Sequence, residues 1–280
     1  MSAADASVAR DAGSVREALQ AAADALAAAG VETPRLDAEL LLAEATGRER
    51  ADLAAHPGSG VEAAAARAFG DMVRRRARRE PVAYIVGRKG FRGLEVAVDP
   101  RVLIPRPETE LLVDVALENR PRTVLDVGTG SGAVALAVAD ELPDARVTAT
   151  DLSIAALEVA RANAERLGLA ERIEFRPGSL PGDARYELVL ANLPYVREEE
   201  WEELAPEIVR HEPREALVSG PTGLEAIRVL VGAGVSGMLA VEVGAGQSAE
   251  VAAMMRESGF GEVESRRDLA GIERVVVGAR

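Results

Sequence analysis

The stretch "TVLDVGTGSGAVALAVA", residues 123–139, predicts the fold of the larger part of the chain. An apolar run typical of a buried strand leads into three alternating glycines, Gly128, Gly130 and Gly132, and a helical pattern follows. Glycine lets the backbone turn sharply and approach a ligand that a Cβ atom would block. This order of strand, glycine turn and helix indicates a ligand-binding edge of a parallel sheet.

The rest of the C-terminal sequence repeats the alternation of strand and helix. Strands are predicted at 122–127, 146–151, 171–176, 186–191, about 237–243, 262–266 and 272–278. Helices are predicted near 131–141, 153–167, 222–233 and 247–258. Such alternation is typical of an α/β protein with an open, mostly parallel sheet and helices on both faces. The two closing segments leave no room for a helix between them, so the last strand is expected to run antiparallel.

The N-terminal sequence shows helical patterns without strands, and it predicts a separate domain. Residues 14 to about 79 show only helical patterns, which gives a small helical domain at 1–80. A hairpin linker is predicted at 81–107, with its turn at Asp99-Pro100, and the α/β domain at 108–280. The arginine-rich run 74–79 fits either the solvated face of a helix or a docking patch for phosphate or an acidic partner.

Composition excludes several classes of protein. The chain of 280 residues contains no cysteine and only two histidines, so no metal site is expected. Its net charge of −13 argues against stable binding to nucleic acid, which favours a basic surface. The sequence shows neither a signal peptide nor an apolar run long enough to cross a bilayer. The expected location is the cytoplasm, without membrane association.

The glycine loop alone leaves two kinds of ligand open. Gly128, Gly130 and Ala133 also satisfy the dinucleotide pattern G-x-G-x-x-G/A. Asp151, at the end of the second strand, can accept hydrogen bonds from ribose hydroxyls in NAD and in an adenosyl ligand alike. Asp126 discriminates between them, because a carboxylate beside the loop would repel a pyrophosphate and attract the ammonium group of a methionine moiety. The loop therefore favours S-adenosylmethionine.

The segment "ANLPY", residues 191–195, ends the fourth strand at the same edge of the sheet. It suits methyl transfer to a planar nitrogen whose lone pair is delocalised. The Asn192 side-chain oxygen and the Pro194 carbonyl can accept both N–H groups and direct the lone pair toward the methyl donor. Tyr195 can pack on the flat target group. Catalysis would depend on positioning, without a strong base.

Longer motifs give the chain a family resemblance over nearly its whole length. They are "PRLDAELLLAEATGR" (34–48), "PVAYIVGRKGF" (81–91), "LIPRPETE" (103–110), the glycine loop, "HEPREAL" (211–217) and "DLAGIERVVVGAR" (268–280). With these, the chain resembles the release-factor glutamine N5-methyltransferases (the PrmC/HemK family), which methylate the glutamine of the Gly-Gly-Gln motif in peptide chain release factors.

The resemblance implies a Rossmann-like class I S-adenosylmethionine-dependent methyltransferase domain behind a small helical domain, with release factors as partners. The residues implied to hold the cofactor are Asp126, Gly128, Thr129, Gly130, Ser131, Gly132, Asp151, Leu180 and Asn192. Those implied to bind or orient the substrate glutamine are Asn192, Leu193, Pro194 and Tyr195, with Asn192, Pro194 and Tyr195 as the catalytic set. The segment Arg106 to Glu108 resembles one that closes over the site.

Two departures from the family pattern bear on activity. Leu193 replaces the first proline of the usual Asn-Pro-Pro-Tyr, which makes the unfolded loop more flexible without removing either acceptor. Ser179 stands where an aspartate commonly contacts the adenine amino group. Serine can still accept one hydrogen bond, so weaker cofactor binding is expected.

Two other functions remain open from the residues. Asn-Leu-Pro-Tyr also resembles the motif of N6-adenine methyltransferases that act on ribosomal RNA or DNA. Those enzymes usually place the glycine loop near the N-terminus and add a basic recognition domain. The second alternative is an inactive fold that binds cofactor or a partner as an assembly factor. An NAD oxidoreductase is disfavoured, because no His, Tyr-x-x-x-Lys or cysteine is placed for hydride transfer.

Overall fold

Helices alone build the N-terminal unit, which ends at Val86, in the part of the chain that the computed structural model describes (residues 13–179, 185–235 and 237–280). They are α1 (Val15–Ala28), α2 (Pro34–Thr46), α3 (Arg50–Ala55), α4 (Ala63–Ala77) and α5 (Val82–Val86). Ser14 caps α1 through a capping box with Glu17. Gly47, at φ +65°, ends α2 in the left-handed conformation. Buried leucines, valines and alanines from these helices form the core of the unit.

The arginine-rich run lies partly inside this helical unit. Arg76 on α4 is 6% exposed, and its Nε lies 2.7 Å from a carboxylate oxygen of Asp37 on α2. Arg75 pairs with Glu80 at 2.5 Å. The interpretation of the whole run as a solvated face is therefore wrong at Arg76. A buried pair of this kind is costly to break, because removing one partner leaves an uncompensated charge.

The second unit, Gly87–Arg280, begins with a short hairpin of β1 (Arg88–Phe91) and β2 (Leu94–Ala97). The chain reverses at Arg92-Gly93, between the two strands. The prediction that placed the hairpin turn at Asp99-Pro100 is therefore wrong. Arg92 takes φ +53°, which lets two residues reverse the chain. Val102 and Ile104, which follow that predicted turn, are buried in an irregular segment and form no strand.

The main sheet has seven strands in the described part of the chain, in the order β5-β4-β3-β6-β7-β9-β8. They are β3 (Thr123–Val127), β4 (Arg146–Asp151), β5 (Ile173–Pro177), β6 (Leu188–Ala191), β7 (Met238–Glu242), β8 (Glu262–Arg267) and β9 (Glu273–Ala279). The strands from β5 to β7 are parallel, and β9 is antiparallel to both of its neighbours. The predicted fold class is confirmed.

Helices accompany the strands of this sheet. They are α6 (Glu110–Asn119), α7 (Ala133–Glu141), α8 (Ile154–Arg166), α9 (Pro206–His211), α10 (Glu225–Gly232) and α11 (Ser248–Glu257). The first seven residues of α7 are all buried, which its run of alanine, valine and leucine allows. Short 3₁₀ helices cover Pro107–Thr109, Ala170–Arg172, Glu198–Glu203 and Arg214–Ala216. None of the helices in the described residues is both long and apolar enough to cross a membrane.

The strand register brings the carboxyl ends of four parallel strands to one edge. Val127 of β3 pairs with Thr150 of β4 on one side and with Ala191 of β6 on the other. Ala191 in turn pairs with Val241 of β7. The residues that end or follow these strands are Gly128, Asp151, Asn192 and Glu242. The strand order reverses between β3 and β6, which is where open α/β sheets bind ligands.

Candidate active site

A cavity opens at this carboxyl edge, within the C-terminal unit. Most of the residues predicted for a site line it: Asp126, Gly128, Thr129, Gly130, Ser131, Asp151, Asn192, Leu193 and Pro194. Gly132 and Tyr195 are not among the described lining residues, although each is adjacent in sequence to a residue that lines the cavity. Leu180 lies outside the described residues.

The glycine loop follows β3 and needs glycine for two different reasons. Gly128, Gly130 and Gly132 take φ values of +73°, +56° and +84°. A Cβ atom on Gly128 would lie 3.1 Å from Leu193 Cδ2, and one on Gly132 would lie 3.1 Å from Ala160 Cβ. A Cβ atom on Gly130 would meet no described atom within 4 Å. The outer glycines therefore permit packing, whereas Gly130 leaves the backbone open toward the cavity.

Asp126 places a buried carboxyl group beneath this loop. Asp126 is 2% exposed, and the Thr129 hydroxyl donates a hydrogen bond of 2.6 Å to the Asp126 Oδ2. Burial raises the pKa of Asp126 to about 6, against the opposing effect of the Thr129 hydrogen bond. The nearby charge of Asp151 raises it further. A carboxylate held in this way binds a cationic group well, because the cation relieves the cost of burying a lone negative charge.

Asp151 ends β4 and ties the loop to the neighbouring strand. Its Oδ2 accepts the Gly130 backbone N–H at 2.9 Å, and its Oδ1 accepts the Ser153 N–H at 2.8 Å. Each carboxylate oxygen keeps a second acceptor site, since an ionised carboxylate offers about four in all. Asp151 can thus hold the loop and still accept two hydroxyl groups from a ligand.

Asn192 follows β6 on the other side of the loop. Its side-chain Nδ2 donates a hydrogen bond of 3.0 Å to the Thr109 hydroxyl, from the segment just before α6. Among the described residues, neither Asn192 Oδ1 nor the Pro194 carbonyl accepts a hydrogen bond. Two acceptor atoms of residues at the cavity wall are therefore without a partner in this part of the structure. Leu193 packs beside Gly128 and against the main core.

Tyr195 is anchored at both its backbone and its hydroxyl. Gln247 donates a hydrogen bond of 2.9 Å to the Tyr195 carbonyl, and the Tyr195 hydroxyl donates one of 3.3 Å to Glu242 Oε1. Burial is the main cause that raises the pKa of Tyr195 above its ordinary value. A Cβ atom on Gly223 would lie 2.4 Å from the Tyr195 carbonyl oxygen, so this backbone approach requires glycine. The strand-end segment is thereby held rigidly.

Glu212, from the motif "HEPREAL", joins two segments that line or flank the cavity. Its carboxylate accepts the Ile104 backbone N–H at 3.1 Å and an Arg106 guanidinium N–H at 2.5 Å. Glu212 is 6% exposed, whereas the Arg106 side chain is 30% exposed, so the carboxylate of this pair is buried and the guanidinium partly reaches solvent. The motif "LIPRPETE" is thus fastened to "HEPREAL" through one buried carboxylate. Arg106 has a structural partner here.

Comparison with known proteins decides the family. A family model described as the PrmC N-terminal domain matches residues 17–87, and one described as the methyltransferase small domain matches residues 107–222. A release factor glutamine methyltransferase of Bordetella pertussis is 45% identical over 86% of this chain and 93% of its own length. One of Caulobacter vibrioides is 41% identical over 94% of this chain and 96% of its own. The chain belongs to the release factor glutamine methyltransferase family.

Solved structures agree on the fold of this methyltransferase. The catalytic domain of human Mettl16, solved with an RNA hairpin, matches with a TM-score of 0.57 at 16% identity, over 75% of this chain and 82% of that chain. At this identity the likeness concerns the fold alone. The cofactor of the methyltransferase is S-adenosylmethionine, and the residues Asp126 and Asp151 both line the cavity. Among the described residues, no cluster of three or more potential ligand side chains could hold a metal ion.

Sequence reasoning did not single out three polar residues at or beside the cavity: Thr109, which lines it, and Glu212 and Glu242, which hydrogen-bond to segments around it. Glu242 is 1% exposed and stands in the otherwise apolar strand "MLAVE". A single acidic residue in a buried strand was a usable signal, because buried carboxylates need partners. Thr109 offered no such signal, since threonine is common at helix starts.

Proposed function

We propose that this chain uses S-adenosylmethionine to methylate the side-chain amide nitrogen (N5) of the glutamine in the Gly-Gly-Gln motif of peptide chain release factors. One observation carries the proposal: Asn192 follows β6 at the cavity wall, with its amide N–H bound to Thr109 and its Oδ1 without a partner among the described residues. The similarity to release factor glutamine methyltransferases over most of the chain supports the same substrate.

The cofactor half of the cavity supplies charge and hydrogen-bond acceptors. Asp126 would hold the ammonium group, and Asp151 would accept the ribose hydroxyls. The glycine loop would let the backbone approach the ligand at Gly130, where no side chain intervenes. S-adenosylmethionine supplies an electrophilic methyl group when it is bound. Ser179 lines the cavity and can accept one hydrogen bond, where the family commonly has an aspartate.

The substrate half would position a poor nucleophile. The nitrogen of a carboxamide is weakly nucleophilic, because its lone pair is delocalised into the carbonyl group. The Asn192 side-chain oxygen and the Pro194 carbonyl would accept its two N–H groups, which turns the lone pair toward the cofactor half. In the transfer, the N–C bond would form as the S–C bond of the sulfonium breaks, which would leave a neutral thioether, and the nitrogen would lose one proton to water. Orientation of this kind is worth effective molarities of ~10⁵ M and above.

The decisive experiment offers the chain an intact release factor and S-adenosylmethionine with an isotopically labelled methyl group. Mass spectrometry of the digested release factor should find the label on the glutamine of Gly-Gly-Gln. A release factor with that glutamine replaced by glutamate should remain unlabelled. Label found in ribosomal RNA or DNA and not in the release factor would overturn the proposal in favour of adenine methylation. Bound cofactor without any transfer would indicate an inactive binding protein.

A further inference from the structure

Glu242 is a buried carboxylate that the proposed reaction leaves without a role. It ends β7, whose register with β6 places it beside Asn192. Only 1% of its surface is exposed. Its Oε2 accepts the Thr109 hydroxyl at 2.6 Å, and its Oε1 accepts the Tyr195 hydroxyl at 3.3 Å. Burial is costly for a carboxylate, so a merely structural position would more simply be filled by an apolar residue.

The hydrogen bonds between Glu242, Thr109 and Asn192 have a fixed direction. An ionised carboxylate can only accept, so the single proton of the Thr109 hydroxyl goes to Glu242. The Thr109 oxygen can then only accept, and the end of the Asn192 amide that faces it must be the NH₂ group. The chain of donors therefore runs from Asn192 through Thr109 to Glu242. It leaves Oδ1 as the free end of the amide.

We propose that Glu242 and Thr109 are positioning residues that determine which end of the Asn192 amide meets the substrate. This inference rests on the proposed function. With the direction described above, Asn192 presents an acceptor to the N–H groups of the substrate glutamine. With the amide reversed, Asn192 would present N–H groups to N–H groups, and the substrate nitrogen would lose one of its two acceptors.

The charge on Glu242 is what keeps this direction. A protonated Glu242 could donate to Thr109, and Thr109 could then donate to Asn192 Oδ1, which reverses the amide. Burial, as the largest cause, and the nearby Glu108 raise the pKa of Glu242 to about 7. The hydrogen bonds from Thr109 and Tyr195 and the positive charge of Arg274 oppose that rise. The ionised form, which is the competent one, is therefore lost as the pH falls through about 7.

A matched pair of variants at Thr109 tests the inference. Thr109→Val keeps the shape and removes the hydroxyl, and it is expected to lower kcat by about tenfold to a hundredfold. The KM for S-adenosylmethionine should change little, because the affected contact lies in the substrate half. Thr109→Ser keeps the hydroxyl and should recover most of kcat. In the unaltered protein, kcat at saturating cofactor should fall as the pH is lowered from 8 to 6, and in Thr109→Val this fall should disappear.

Several results would overturn the inference. The inference would be wrong if Thr109→Val kept both the kcat and the pH profile of the unaltered protein. A loss as large in Thr109→Ser as in Thr109→Val would assign the effect to the methyl group of threonine and not to its hydroxyl. If Thr109→Val does not fold, a flat kcat profile of the unaltered protein between pH 6 and 8 overturns the inference by itself. An unaltered protein that transfers no methyl group to the release factor would instead refute the proposed function.

Discussion

The two halves of the cavity are built in different ways. On the side of β3 and β4, the wall is a loop from one continuous stretch, whose backbone is shaped by glycines and tied to Asp151 through the Gly130 N–H. On the side of β6 and β7, the wall depends on side chains from three distant parts of the chain: Thr109, Asn192 and Glu242. The first half is made by local backbone geometry and the second by long-range contacts.

Under the proposed function, this difference separates cofactor binding from the chemical step. A backbone loop with one carboxylate beneath it and another beside it can hold a cofactor whatever the substrate is. A relay of side chains that fixes one amide group is useful only when a planar nitrogen has to be turned. Variants in the two halves should therefore affect different kinetic parameters, with cofactor affinity sensitive in one half and turnover in the other.

The largest effect is expected for Asn192→Ala, in the substrate half. It removes one of the two acceptors that orient the substrate nitrogen, so kcat should fall by about a hundredfold or more. The family resemblance also implies a cofactor contact at Asn192, but the side-chain oxygen is proposed to meet the substrate, so the affinity for S-adenosylmethionine, measured by calorimetry, should stay nearly unchanged. Single-turnover methylation of an intact release factor gives the rate of the chemical step itself.

Leu193→Ala is the neighbouring control for that experiment. Leu193 packs beside Gly128 and contributes no proposed hydrogen bond, so its variant reports the effect of loosening the same segment. Its kcat should fall less than that of Asn192→Ala. Equal losses of cofactor affinity and turnover in Asn192→Ala would contradict the separation of the two halves.

Much of the fold could be predicted from the sequence, because its signals are local. The glycine loop, the period of the helices and the spacing of the strands gave a parallel sheet with an antiparallel last strand. The hairpin turn was misplaced because Asp99-Pro100 is a stronger turn signal than Arg92-Gly93. Arginine at φ +53° is uncommon; here the pairing of Phe91 with Leu94 closes the turn, and Glu110 accepts the Arg92 backbone N–H from a distant part of the chain.

The residues of the candidate site likewise differ in whether local sequence signals could identify them. The loop residues and Asn192 could be identified because motifs of consecutive residues carry them. Thr109 and Glu242 are 133 positions apart, and only the folded sheet brings their side chains within 2.6 Å. No pattern of neighbouring residues records such a contact. The same holds for Glu212, which meets Ile104 and Arg106 across more than a hundred residues.

Asp151→Ala should produce the next largest effect, in the cofactor half. It removes the proposed acceptor of the ribose hydroxyls and two bonds to backbone N–H groups, so the Kd for S-adenosylmethionine should rise about tenfold to a hundredfold. The kcat at saturating cofactor should change much less. Asp151→Asn keeps one acceptor oxygen, so its Kd for S-adenosylmethionine should lie between those of the unaltered protein and Asp151→Ala. Unchanged affinity in both variants would remove Asp151 from the cofactor site.

The smallest effect concerns pH, and it distinguishes the halves without any substitution. Burial raises the pKa of Asp126 to about 6, and the ionised form is the one that attracts an ammonium group. Cofactor affinity should therefore be constant above that value and weaken below it, by an amount approaching ~10-fold per pH unit. Asp126→Asn, which cannot ionise at this position, should bind S-adenosylmethionine more weakly, and its affinity should not depend on pH between 5 and 7.

Because Glu242 lies in the substrate half, its titration near 7 should alter kcat and leave cofactor affinity unchanged. A single common pH dependence for both quantities would mean that the two halves do not act separately.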